Sequence, residues 1–216
     1  MMALILIDHF KSEDMEMLKK TLMASAIAAA SLASINAQAQ SQQTTPVRDN
    51  GFSYTYGQFG YDNWDYDNGP DVDVLSGEGS FALDEHLFLR GGASFYDGDY
   101  DSPGSDDVDG NRLYVGAGFH TPLQRGLDLV GTADVIRDDN DFNDEEWGYA
   151  VSGGLRHQTT EVLELSGGVL YEDIYDGNFG VYGQGLVNLN RAWDVGARVA
   201  FTDDSDNIGV FGRYNF

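Results

Sequence analysis

The side chains able to do chemistry are overwhelmingly carboxylates, and many are set two residues apart. Asp97-Gly-Asp99-Tyr-Asp101, Asp139-Asn-Asp141-Phe-Asn143 and the run Asp203, Asp204, Ser, Asp206 place oxygens at alternate positions. Hard cations such as Ca and Mg take that donor type and spacing. None of the three completes an EF-hand loop: the stretch from Asp97 lacks both the central glycine and the closing glutamate. Weak Ca or Mg binding is the most these segments predict, and a solvated acidic surface is the plainer reading.

A second charged set lies within segments that alternate apolar and polar residues. Reading alternate positions as one face puts Glu78, Asp128, Asp134, Glu164 and Asp194 on the polar side, together with Arg90, Arg112, Arg156, Arg198 and Arg213. Five acids meet five arginines. Buried charge is costly unless paired, so equal numbers predict an interlocking network. Its first reading is a plug of side chains that fills a narrow interior, and its second is an ion-selective constriction. A hairpin turn centred near residue 160 sets Arg156 opposite Glu164, and a turn at 84–86 makes Glu78 and Arg90 diagonal neighbours. By the same parity Tyr96, Tyr114 and Tyr182 point inward and add bulk.

Other chemistries find little support. The chain has no cysteine, which excludes thiol nucleophiles, thiolate metal sites and disulfides. His86, His120 and His157 fall in or beside predicted short turns, away from the acidic loops, so no base stands near the abundant acids. No phosphate-cradling glycine loop is present, and the expectation is a protein that is not an enzyme and holds no cofactor. With 36 acids against 12 basic residues, nucleic acid is excluded as a partner.

The elements that position these charges are strands. Ten blocks of period-two alternation follow Gly51, each about ten residues long, the length a tilted strand needs to cross a bilayer. In the clearest, Leu127, Leu129, Gly131, Ala133 and Val135 form one face and Asp128, Val130, Thr132, Asp134 and Ile136 the other. The first block, Phe52 to Tyr61, is irregular: its aromatics change parity near Gly57, which predicts a bulge. Short turns near 84–86, 122–126, 158–161 and 190–192 alternate with longer acidic loops at 62–73, 97–110, 137–146, 172–178 and 202–207. Those loops hold 23 acids, opposed only by Arg137.

The N-terminus reads as an export signal. From Met17, Lys19 and Lys20 precede a short apolar run and then Ala37-Gln-Ala39, a secretory leader cleaved before Gln40. Residues 1–16 carry acids where a leader wants positive charge, so they read as a misplaced start; residues 40–50 read as a short periplasmic segment and 51–216 as the barrel.

Alternation alone also suits a soluble β-sandwich. The leader, the turn and loop asymmetry, the aromatics at strand ends and the terminal Phe216 favour a membrane: an all-β, transmembrane, antiparallel up-and-down β-barrel. The final segment, Ile208 to Phe216 with Tyr214 and Phe216 on one face, resembles the C-terminal assembly signal of outer-membrane barrels. The mature chain resembles the small OmpX- or OmpA-like outer-membrane barrel proteins, which have eight strands where ten are counted here. That resemblance implies a Gram-negative outer membrane, periplasmic chaperones, the barrel-assembly machinery, and outer-membrane lipid and lipopolysaccharide as partners. The expected role is a non-enzymatic surface barrel serving envelope integrity, adhesion or surface interaction through its acidic loops, with a narrow cation-preferring pore as the alternative.

Overall fold

The computed structural model describes residues 51–66, 69–99, 108–141, 145–175 and 177–216. The leader, the start site, the segment 40–50, Asp101, Asn143 and the side chain of Asp99 lie outside the described residues.

Ten antiparallel strands form one sheet: β1 (Tyr56–Tyr66), β2 (Asp71–Ala82), β3 (Leu87–Asp99), β4 (Val108–Gln124), β5 (Leu127–Asn140), β6 (Glu146–Gln158), β7 (Leu163–Asp173), β8 (Gly177–Asn188), β9 (Trp193–Thr202) and β10 (Ser205–Asn215). Each pairs with its sequence neighbours, and β1 also pairs with β10, so the sheet closes into a barrel without a free edge. The expected fold and strand number are both met, and the eight-strand count is not.

Alternation explains which face points where. Val115, Ile208 and Val210 are 66%, 62% and 59% exposed on the outside, whereas Val74, Leu186 and Phe211 are buried within. Far more large apolar side chains are exposed than buried, the inverse of a sandwich core.

The strands outrun the sequence reading at their loop ends. β1 continues to Tyr66, β2 begins at Asp71, β5 reaches Asn140 and β7 reaches Asp173, all inside stretches expected to be loops. Backbone pairing does not stop where the apolar run ends, because polar side chains on a strand above the bilayer are simply solvated. At the other end the first strand is shorter than expected: Phe52 to Thr55 precede it, and β1 shows no bulge against either neighbour. The parity change arises because Phe52 and Tyr54 fold into the barrel mouth, both less than 9% exposed, while Phe59 and Tyr61 face outward.

Three of the short turns repeat one chemistry. Asp84 Oδ1 accepts the backbone N–H groups of His86 (2.7 Å) and Leu87 (2.8 Å), Thr160 Oγ1 those of Val162 and Leu163, and Asn190 Oδ1 those of Ala192 and Trp193. Each is a side-chain oxygen standing in for a backbone acceptor, the reason Asp, Asn, Ser and Thr favour turns. The fourth turn instead uses Gly126 at φ 73°, a left-handed conformation that a side chain would strain.

Interior glycines make room for rings. A Cβ on Gly92 would lie 2.7 Å from the Tyr114 ring, and one on Gly196 2.5 Å from that of Phe211. At outward Gly77, Gly79, Gly153 and Gly212 a Cβ would meet nothing within 4 Å, so close packing does not explain these four.

Candidate functional site

The lumen is lined with paired charges. All ten residues of the predicted network lie on the inward face, and the lengthened strands add three acids to it: Asp62, Asp138 and Glu172. Asp62 shares parity with Gln58 on β1, Asp138 with Asp128 and Asp134 on β5, and Glu172 with Glu164 on β7. Eight carboxylates therefore face five guanidinium groups. The predicted balance of five against five is corrected to an acid excess, because the sequence reading stopped these three strands one inward position early.

At the loop end, Arg112 donates from Nε to Asp138 Oδ2 (2.7 Å) and from Nη1 to Glu172 Oε1 (3.0 Å), with its guanidinium 5.2 Å from the Trp64 ring centre. Asp138 also accepts the hydroxyls of Tyr96 (2.6 Å) and Tyr175 (3.1 Å). Tyr175 stands beyond the strand end, and burial, followed by the Asp138 charge, pushes its hydroxyl up to about 12. It stays a neutral donor at any physiological pH. Below this group Arg198 grips Asp62 with Nε (2.6 Å) and Nη2, and touches Ser76 (3.0 Å).

At mid-height, Glu78 gathers three donors: Arg90 Nη2 (3.0 Å), the Tyr56 hydroxyl (2.6 Å) and the Tyr114 hydroxyl. Glu78 and Arg90 are the expected diagonal neighbours, since Glu78 faces Gly92 and Arg90 faces Ser80. Arg90 Nε lies 3.5 Å from Asp134 Oδ1 without a hydrogen bond between them.

At the turn end, Arg156 binds Glu164 twice, Nε to Oε1 at 2.5 Å and Nη2 to Oε2 at 3.1 Å. They are diagonal rather than directly opposed, since Arg156 faces Ser166 and Gln158 faces Glu164, so the turn is centred one residue later than expected. A long arginine reaches a diagonal partner, which is why the ion pair forms despite the shifted register. Asp128 accepts the Tyr54 hydroxyl (2.9 Å) and lies 3.4 Å from His120 Nδ1. Arg213 faces Asp194 across the ladder but donates both Nε and Nη2 to the Gln58 side-chain oxygen, while Asp194 takes Asn215 Nδ2 (2.6 Å).

The network is not a solid fill. One cavity of about 320 Å³ is lined by Asp62, Arg112 and Trp64 toward the loop end, and another of about 330 Å³ by Tyr54, Phe88 and Arg156 toward the turn end. Both are lined by Gln58, Glu78, Arg90, Asp134, Glu172, Tyr182 and Arg198, the side chains that lie between them.

The candidate metal residues are scattered. Asp97 lies between Asp73 and Asp109 on neighbouring strands, and Asp206 faces Asp65, which faces Asp71. Asp139 is held by Arg137 (3.0 Å), Asp203 accepts the Phe179 N–H (3.3 Å), and Asp141 donates its N–H to the Asp109 carbonyl. Asp204 lies in the bend between β9 and β10. Among the described residues no three His, Asp or Glu side chains converge as a metal requires. His86, His120 and His157 lie at the turn end. Tyr214 and Phe216 stack edge to face at 5.0 Å, with Trp193 against Tyr214 on the other side at 5.0 Å.

Known proteins of the same architecture share little sequence with this one. The β domain of the Bordetella autotransporter BrkA superposes with a TM-score of 0.51 at 10% identity, covering 76% of this chain and 99% of that one. An outer membrane channel from Pseudomonas putida gives 0.48 at 9% identity, covering 81% and 100%. The N-terminal β-barrel domain of Pseudomonas aeruginosa OprF gives 0.40 at 14% identity, covering 76% and 100%. These likenesses concern the fold alone. No curated protein sequence matches the chain significantly. Residues 25–201 match the family described as outer membrane protein beta-barrel domain, so the chain is an outer-membrane β-barrel of that family.

Proposed function

We propose that the protein is a narrow, cation-preferring pore, with its short turns toward the periplasm and its acidic loops outside. The observation that carries this reading is the acid excess in a hollow interior: Asp62, Asp138 and Glu172 at the loop end outnumber Arg112 and Arg198, their partners. Rings of carboxylates favour cations because they replace part of the hydration an ion sheds. Three acids against two arginines leave one net negative charge, which at about 6 Å in water-like surroundings stabilises a cation by about 0.7 kcal/mol before salt screening. That is enough to decide the sign of selectivity. Refolded protein in a planar bilayer under a KCl gradient is expected to give discrete steps with a reversal potential of cationic sign.

A second reading has its own observation. On the outer face, Asp73, Asp97 and Asp109 stand side by side on β2, β3 and β4, and Asp206, Asp65 and Asp71 on β10, β1 and β2. Like charges directly opposite one another destabilise a sheet. Divalent cations shared with lipopolysaccharide phosphates would relieve the repulsion and give the barrel a surface role in envelope integrity. Millimolar Ca is then expected to raise the unfolding temperature more than K at equal ionic strength; equal shifts would leave only a solvated acidic coat. Assembly through Tyr214 and Phe216 by chaperones and the barrel-assembly machinery suits both readings.

A further inference from the structure

Four residues that precede the first strand close one end of the lumen. Phe52 and Tyr54 are buried against Phe88, with Ala82 and Val130 packed around them. Tyr54 stacks on His120 with ring centres 3.7 Å apart. The guanidinium of Arg156 lies 4.8 Å from the Phe52 ring and 4.9 Å from that of Tyr54, and its Nη1 donates to the Ser53 carbonyl (3.0 Å).

Cavities lie on both sides of this segment. The interior space above it is lined by Tyr54 and Arg156; a separate cavity of about 320 Å³ below it is lined by Gly51, Ser53, Arg156 and Glu164. Arg156 is the one lining residue the two cavities share. The barrel is therefore hollow above and below a single barrier made of Phe52 to Tyr54 and the arginine they cover.

The barrier is not part of the wall. β1 begins at Tyr56 and its ladders to β2 and β10 are complete without residues 52–55. The segment is tied mainly by side chains: Ser80 Oγ donates to the Tyr54 carbonyl (2.8 Å), Thr55 Oγ1 accepts the Ala82 N–H (3.1 Å), and one backbone bond runs from Phe216 to Thr55 (3.2 Å). Gly51, at φ 93°, supplies the left-handed residue at which the chain turns into the mouth.

We propose that Phe52–Thr55 is a removable plug, and that its withdrawal toward the turn end opens the lumen while the barrel stays closed on itself. The plug rests on the pore reading for its consequence, conduction, but on its own geometry for its existence. Arg156 is its seat: the two rings lie over a guanidinium that Glu164 already holds in place, so seating the plug requires no rearrangement of the wall. Leaving it uncovers two rings and the one hydroxyl donated to Asp128.

Two measurements test it on full-length mature protein. In the first, single-channel conductance of the wild type is compared with Phe52→Ala/Tyr54→Ala, folding of both being verified by heat-modifiable gel mobility. A several-fold larger or more persistent conductance in the double variant is expected; equal, non-zero conductance would overturn the plug and leave the pore. In the second, Ser166→Cys places a thiol in the interior cavity behind the segment, in a chain with no other cysteine. A hydrophilic thiol reagent should label it several-fold faster when Phe52 and Tyr54 are alanine. Faster labelling with both proteins electrically silent would keep the plug and sink the pore; equal labelling would overturn the plug whatever the conductance.

Discussion

Arg156 shows how much one side chain carries here. It closes a two-point ion pair with Glu164, holds the Ser53 carbonyl and lies under two aromatic rings. Arg156→Met leaves Glu164, 3% exposed, charged and uncompensated, a loss of about 3 kcal/mol for a buried pair broken on one side. The double variant Arg156→Met/Glu164→Gln should recover much of that loss in urea unfolding from detergent or bilayers, since no buried charge is then left alone. Additive losses would mean that the two groups do not act as a pair. The ion pair was visible in the sequence as two opposite charges of one parity near a turn. The seat for Phe52 and Tyr54 was not, because nothing local separates an aromatic at a strand start from one folded into the mouth.

At the scale of the element, the turns were legible and the strand ends were not. Asp84, Thr160 and Asn190 each occupy the first part of a short turn as an oxygen acceptor, a pattern any reader of turn chemistry can find. The two backbone N–H groups bonded to Asp84 hold its carboxyl below the ordinary carboxylate range. A lowered folded-state value means the stabilisation is present above the unfolded value and is lost as pH falls through the folded one. Asp84→Asn, with the amide oxygen Asn190 already uses, should keep the turn and remove that acid-side loss. Asp84→Ala should lower the unfolding temperature at neutral pH, measured by the heat-modifiable shift. No change in the alanine variant would contradict the turn's part in stability. The upper ends were misread because the apolar signal stops at the bilayer while backbone pairing continues into water. Carrying the same parity to the next inward position would have found Asp62, Asp138 and Glu172.

The described residues form an inside-out barrel, hollow within and with more acids than arginines on its inner face. Its outward face follows from alternation, so fold, strand number and the inward placement of the ten predicted charged residues could all be read from sequence. The sign of the lumen could not, since it depends on three acids near strand ends that also look like loop residues. Net charge alone would mislead: most acids lie in or beside the loops, and only those inside can govern an ion within the barrel. Neutralising Asp62, Asp138 and Glu172 would leave Arg112 and Arg198 exposed to the pathway and reverse the local sign.

The most direct test is the reversal potential of refolded protein across a KCl gradient, with Phe52→Ala/Tyr54→Ala alongside to keep the mouth open. The account predicts cation selectivity that shifts toward anions in Asp62→Asn/Asp138→Asn/Glu172→Gln. Anion selectivity in the parent, or no discrete conductance from verified barrels of either form, would contradict it.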